Sequence, residues 1–149
     1  MLDRIMTDPA SGKIIFTDKI LPGSHVNFDE DINSAAKRVL FEFTGIDNIE
    51  LHQFRTFGAL DRLNRQDRDV LWLRTIGQDP YQRVVSIVFY SLVDANKYEW
   101  PIQHQKEHHQ MYNPGWYPIN DLPKEMAYDH HFILDEALAF LRDGVKYNP

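Results

Sequence analysis

Six apolar residues between positions 32 and 43 constrain this chain more than any other feature in it. Ile32, Ala35, Ala36, Val39, Leu40 and Phe43 recur at three-and-four spacing, which aligns them along one stripe of a helix. The pattern predicts a helix from about Asp31 to Thr44. Asn27 or Asp29 can cap its start, and Gly45 suits the left-handed position just past its end. Arg38 and Glu42, four residues apart, read either as an ion pair on a solvated face or as groups that position a ligand. Glu30 reads either as a cation ligand or as an acidic residue that the helix dipole favours in the first turn.

Around this helix the chain reads as short strands. Asp8-Pro9-Ala10-Ser11-Gly12 is turn chemistry, and Lys13 to Leu21 alternates as a strand. Ile49 to Phe57 reads as another strand, ended by Gly58. Arg83 to Val93 is nearly continuous in apolar residues and is expected to be central in its sheet. Asp61 to Gln78 mixes Arg62, Arg65, Arg68 and Arg74 with Asp61, Asp67 and Asp69. It reads as a solvated excursion that Leu63, Val70, Leu71 and Leu73 could turn into a short helix, with a lid over a ligand as the alternative. Ile133, Leu134, Ala137, Leu138 and Leu141 predict an amphipathic helix from about His131 to Arg142, stopped by Gly144, with Asp129 as its cap.

The segment Ser24 to Ile46, SHVNFDEDINSAAKRVLFEFTGI, resembles the Nudix box. In that register Ser24 takes the opening glycine, Glu30 the first glutamate and Arg38 the arginine, and Leu40, Glu42, Gly45 and Ile46 hold their family positions. The two positions that supply the main Mg²⁺ or Mn²⁺ ligands in active members fall on Val39 and Phe43, which offer no oxygen. Further segments are similar to the Nudix-related transcriptional regulators, a subgroup that includes sensors of sugars or ADP-ribose-like metabolites as well as hydrolases. They are Leu21 to Val26, Gln53 to Arg62, Arg83 to Tyr90, and Trp116-Tyr117-Pro118 with Asp129-His130. The resemblance implies an α+β chain: a mixed β-sheet sandwiched between helices (α/β/α), occupying residues 1–149 as one domain. Leu2-Asp3-Arg4 resembles the tail of the family's second strand, so either the chain is a fragment or the domain begins differently.

The same resemblance implies a small sugar or nucleotide-sugar ligand, bordered by Phe57, Arg83 and Tyr90, in the sensing half of a regulator that is expected to be a homodimer. The alternative is a Mg²⁺-dependent pyrophosphohydrolase acting on a compound such as ADP-ribose, with Glu30, Glu42 and Asp61 around the metal. No cofactor is expected unless the chain is hydrolytic. At 149 residues, with 43% hydrophobic residues, the chain is long enough to bury a core. A net charge of −6 argues against nucleic-acid binding through this segment, so any DNA contact is expected from a winged helix beyond it. The lack of cysteine removes disulfides and thiolate sites, and the lack of a leader or an apolar span leads to the expectation of a cytoplasmic protein. His104, His108 and His109 read first as a polar loop and second as a metal site, because a metal motif lacks its other partners. P-loop, dinucleotide and serine-hydrolase motifs are missing.

Overall fold

The hairpin that opens the chain is set by one aspartate. Asp8 Oδ1 accepts from the backbone N–H groups of Ala10 (2.7 Å) and Ser11 (2.9 Å), folding β1 (Leu2–Thr7) back on β2 (Ile14–Ile20). The structure is a computed structural model that describes residues 1–60, 62, 66–98 and 111–146. After β2 come α1 (Ile32–Thr44), β3 (His52–Phe57), α2 (Asp67–Thr75), β4 (Ser86–Tyr90), β5 (Met111–Tyr112) and α3 (His130–Lys146). One antiparallel sheet runs β2-β1-β5, and a second pairs β3 with β4. A single parallel bridge adds Met126 beside Lys19.

The chain is therefore a mixture of α and β, as expected, but the described residues form two small antiparallel sheets in place of one mixed sheet. Each sheet has its own helix. Leu2, Ile20, Phe43 and Ala127 form the core on the first, with Val39, Met111 and Tyr128 packed against it, so α1 seats its predicted stripe there. On the second, α3 lays aromatic rings over the strands: Phe140 lies 5.1 Å from Phe54 and 5.8 Å from Tyr90, and Phe132 meets Phe57 edge-on at 6.1 Å.

Helix α1 follows its sequence pattern closely. Gly45 closes it with φ 70°, donating to Phe41 O at 2.7 Å. Its cap is Asp31, not Asn27 or Asp29, with Oδ1 accepting from Asn33 N and Ser34 N at 2.8 Å each. The N–H of Asn27 instead donates to Glu30.

Three other expectations are corrected. The apolar run from Arg83 to Val93 contributes only the five residues of β4, which among the described residues pairs with β3 alone. Ile87 and Val85 stay exposed. Apolar continuity signals shielding, and here α3 supplies that on one side where a central strand would need it on both. The strand with two described neighbours is β1, read in the sequence only as a tail. Helix α3 runs through Gly144 to Lys146, because an interior glycine costs only about 1 kcal/mol. Finally, α2 is no solvated excursion: Trp72 is 1% exposed, and Asp69 is equally buried.

Candidate functional site

Arg38 gathers the polar residues of the box. Its Nε and Nη2 donate to the Glu30 carboxylate at distances down to 2.6 Å, its Nη1 donates to Glu42 Oε2 at 3.0 Å, and its Nη2 also reaches His25 O at 2.9 Å. The i,i+4 pair is thus one of two ion pairs in a three-residue cluster that also ties down the loop carrying Ser24, which is exposed. The guanidinium hydrogen bonds, with help from Asn27 N–H, hold the Glu30 carboxyl below its ordinary range, and Glu30 followed by Glu42 raises the Arg38 pKa.

A divalent cation fits this arrangement poorly. Val39 packs on the core and Phe43, 9% exposed, is part of it. The two remaining carboxylates already share one guanidinium, whereas a hard cation needs several free oxygens. Among the described residues no three His, Asp or Glu side chains come together as a metal site. Asp61, Arg65, Trp100, His104, His108 and His109 lie outside the described residues.

The three residues expected to border a ligand do not converge. Phe57 is buried opposite Ser86 at one end of the β3–β4 pair, where Arg83 Nη2 donates to Gly58 O at 3.2 Å. Tyr90 stands at the other end, opposite His52, and lines an open cavity of about 400 Å³.

Several polar residues are more deeply placed than the sequence suggests, Arg62, Arg68 and Asp69 of the expected solvated excursion among them. Arg4, fully buried, donates to Asp18 Oδ1 (2.8 Å) and Oδ2 (2.6 Å) and to Asp69 Oδ1 (2.7 Å), and the rings of Phe16, Trp72 and Tyr128 lie about 5 Å from its guanidinium carbon. Arg68 lies 3.5 Å from Asp18 and binds Glu125 at 2.7 Å. The alternation of β1 was the available signal, since Arg4 shares the buried face with Leu2 and Met6. Arg62 clamps the second sheet to α3: it donates to Phe57 O and Ser86 Oγ, both at 2.9 Å, and to both oxygens of Asp129 at 2.8 and 3.0 Å.

Asp129 is therefore an ion-pair partner, and the helix starts on its backbone carbonyl, which accepts from Ile133 N. Its neighbour His130 accepts from Leu21 N at 3.0 Å through Nδ1, so the imidazole is neutral with its proton on Nε2. Burial above all pushes its pKa down to about 4; the Asp129 charge opposes this most, and the Arg4 and Arg62 charges add to the lowering.

No family model matches the chain. It is similar to the ADPR responsive transcriptional repressor NtrR of Acinetobacter baylyi, with 30% identity over 130 residues. The match covers 85% of this chain and 43% of that protein, so the chain spans less than half the length of the curated relative it matches. This likeness to a transcriptional repressor agrees in kind with the resemblance to Nudix-related regulators seen in the sequence.

Proposed function

We propose that this chain is the effector-binding part of a Nudix-related transcriptional regulator, binds a sugar or nucleotide-sugar such as ADP-ribose, and has lost metal-dependent hydrolysis. The observation that carries the reading is the packing of α1. The two box positions that would hold metal are hydrocarbon seated in or against the core, and Arg38 engages both remaining box glutamates. Similarity to an ADPR responsive repressor supports the choice of effector. Regulation then requires that the ligand prefer one arrangement of subunits or domains over another.

Calorimetric titration with ADP-ribose, ribose and arabinose tests this reading, with saturable binding that does not change on adding Mg²⁺ as the expected result. The competing hydrolase reading would need Glu30 and Glu42 released from Arg38 to neutralise phosphate through a cation. Metal-dependent release of AMP from ADP-ribose, abolished by Glu42→Gln, would establish that reading and overturn this one.

A further inference from the structure

The cavity beside Tyr90 has a composition of its own. It opens where the α1–β3 connection, Asn48 to Glu50, meets the chain leaving β4 at Ser91, with Tyr98 beyond the short 3₁₀ turn Ala95–Lys97. Asn48 has φ 54°, a left-handed conformation that asparagine tolerates better than most residues. Tyr90 is held between the ring of His52, at 5.5 Å, and that of Phe140, at 5.8 Å. The side chains of Asn48, Tyr90, Ser91 and Tyr98 have no hydrogen-bond partner among the described residues, whereas the polar groups of the box and of the buried clusters are mostly paired. Among the described residues Glu50 has His52 as its one ion-pair neighbour, at 3.9 Å, and its side chain is 83% exposed.

Aromatic walls with unspent hydroxyl, amide and carboxylate groups match a neutral ring that carries several hydroxyls. Neighbouring hydroxyls of a ribose-type sugar can donate to Glu50 and exchange hydrogen bonds with Asn48 while the ring lies on a tyrosine face. A phosphate suits this place badly, because no Lys or Arg among the described residues lines the cavity and Glu50 would repel it. The volume of about 400 Å³ is within the range of small-molecule sites.

We infer that the cavity between Asn48, Glu50, His52, Tyr90 and Tyr98 binds the vicinal diol of a ribose-type sugar. The inference rests on the reading of the chain as a sugar or nucleotide-sugar sensor and assigns the sugar a place whose described lining does not include Arg38, Glu30 or Glu42. The diol can come from a free pentose or from the ribose of a nucleoside, and any phosphates attached to it point to solvent.

The test is calorimetric titration of the whole chain with ribose, adenosine, 2′-deoxyadenosine and ADP-ribose, repeated on Glu50→Gln, Asn48→Gly and Tyr98→Phe. Asn48→Gly removes the amide and keeps the left-handed backbone. Loss of paired hydroxyls should make 2′-deoxyadenosine bind about tenfold more weakly than adenosine, and Glu50→Gln or Asn48→Gly should weaken adenosine by a similar factor with melting temperature unchanged. Ribose binding that these two substitutions weaken assigns the site to the free sugar, and adenosine binding without ribose binding assigns it to the nucleoside. Equal affinity for the deoxy compound, or variants that bind like the wild type, overturns the assignment. Tight ADP-ribose binding untouched by all three substitutions would remove this site and leave the sensor reading standing. No binding of any compound removes both.

Discussion

Burial holds the His130 imidazole neutral down to about pH 4, although an unburied histidine takes up its proton near 6.5. Between those values the unfolded chain binds a proton that the folded chain cannot, so stability is complete above pH 6.5, falls as pH drops, and stops falling near pH 4. The total is about 3 kcal/mol for a shift of this size. His130→Gln, which can still accept from Leu21 N, should lose that much less stability than the wild type in urea unfolding followed from pH 7 to 4. Parallel curves for the two proteins would show that the imidazole does not set the acid response. Val39 and Phe43 make a second residue-scale prediction. Val39→Glu with Phe43→Glu places carboxylates where the resemblance to the Nudix box expects them, but it removes an aromatic ring from the core and puts charge in its place. The cost is at least about 4 kcal/mol, a large part of the stability of an ordinary domain. Chemical denaturation should show that loss before any hydrolysis appears, and a stable, active double variant would refute the packing argument. These two residues were legible because they continue a helical stripe. The ion pairs of Arg4, Arg62 and Asp129 were not: the alternation of β1 places Arg4 on a buried face, but a charged residue in the sequence carries no mark of the partner that lets it be buried.

Helices were read best where one face is buried against a single neighbour, as α1 shows with its stripe and its Gly45 stop. Helix α2 shows the opposite. Its sequence, Asp67 to Thr75, looks solvated because half its residues are charged or polar, yet Asp69 and Trp72 are its two buried residues and both meet Arg4. Docking of this element depends on the ion pair and the ring together. Asp69→Ala leaves Arg4 fully buried with Asp18 alone and should cost about 3 kcal/mol, and Trp72→Ala should cost 3–5 kcal/mol by roughly the usual measure for an aromatic in a core. Because the two share Arg4, the double variant should lose less than the sum of the single losses. Additive losses would indicate that α2 is held by independent contacts. For β4 the sequence misled about its place in the sheet for a related reason, since apolar continuity reports that a strand is covered without saying whether a strand or a helix covers it.

At the level of the whole molecule, two arginines join what the sheets leave separate. Arg4 ties β1 to β2 and α2, while Arg62 ties β3 and β4 to the start of α3. The two clusters converge on the segment from Met126 to His130, which also supplies Ala127 to the core and the bridge to Lys19. The α-plus-β character and both long helices were legible from periodicity, but the division into two antiparallel sheets depends on pairings between distant segments that no local pattern encodes. Both arginine clusters also spend positive charge inside the molecule. Arg4, Lys19, Arg38, Arg55, Arg62 and Arg68 are all engaged with carboxylates, so among the described residues six of the chain's 16 Lys and Arg residues are already paired, in a chain whose net charge is −6. Nucleic-acid affinity arises mainly from free cations that displace condensed counterions. This chain alone should therefore leave duplex DNA unshifted in a gel or anisotropy assay at about 150 mM salt and protein concentrations near 10 μM, where basic proteins already bind without sequence preference. Binding that persisted there and weakened steeply with added salt would mean that a cationic surface exists on this chain after all.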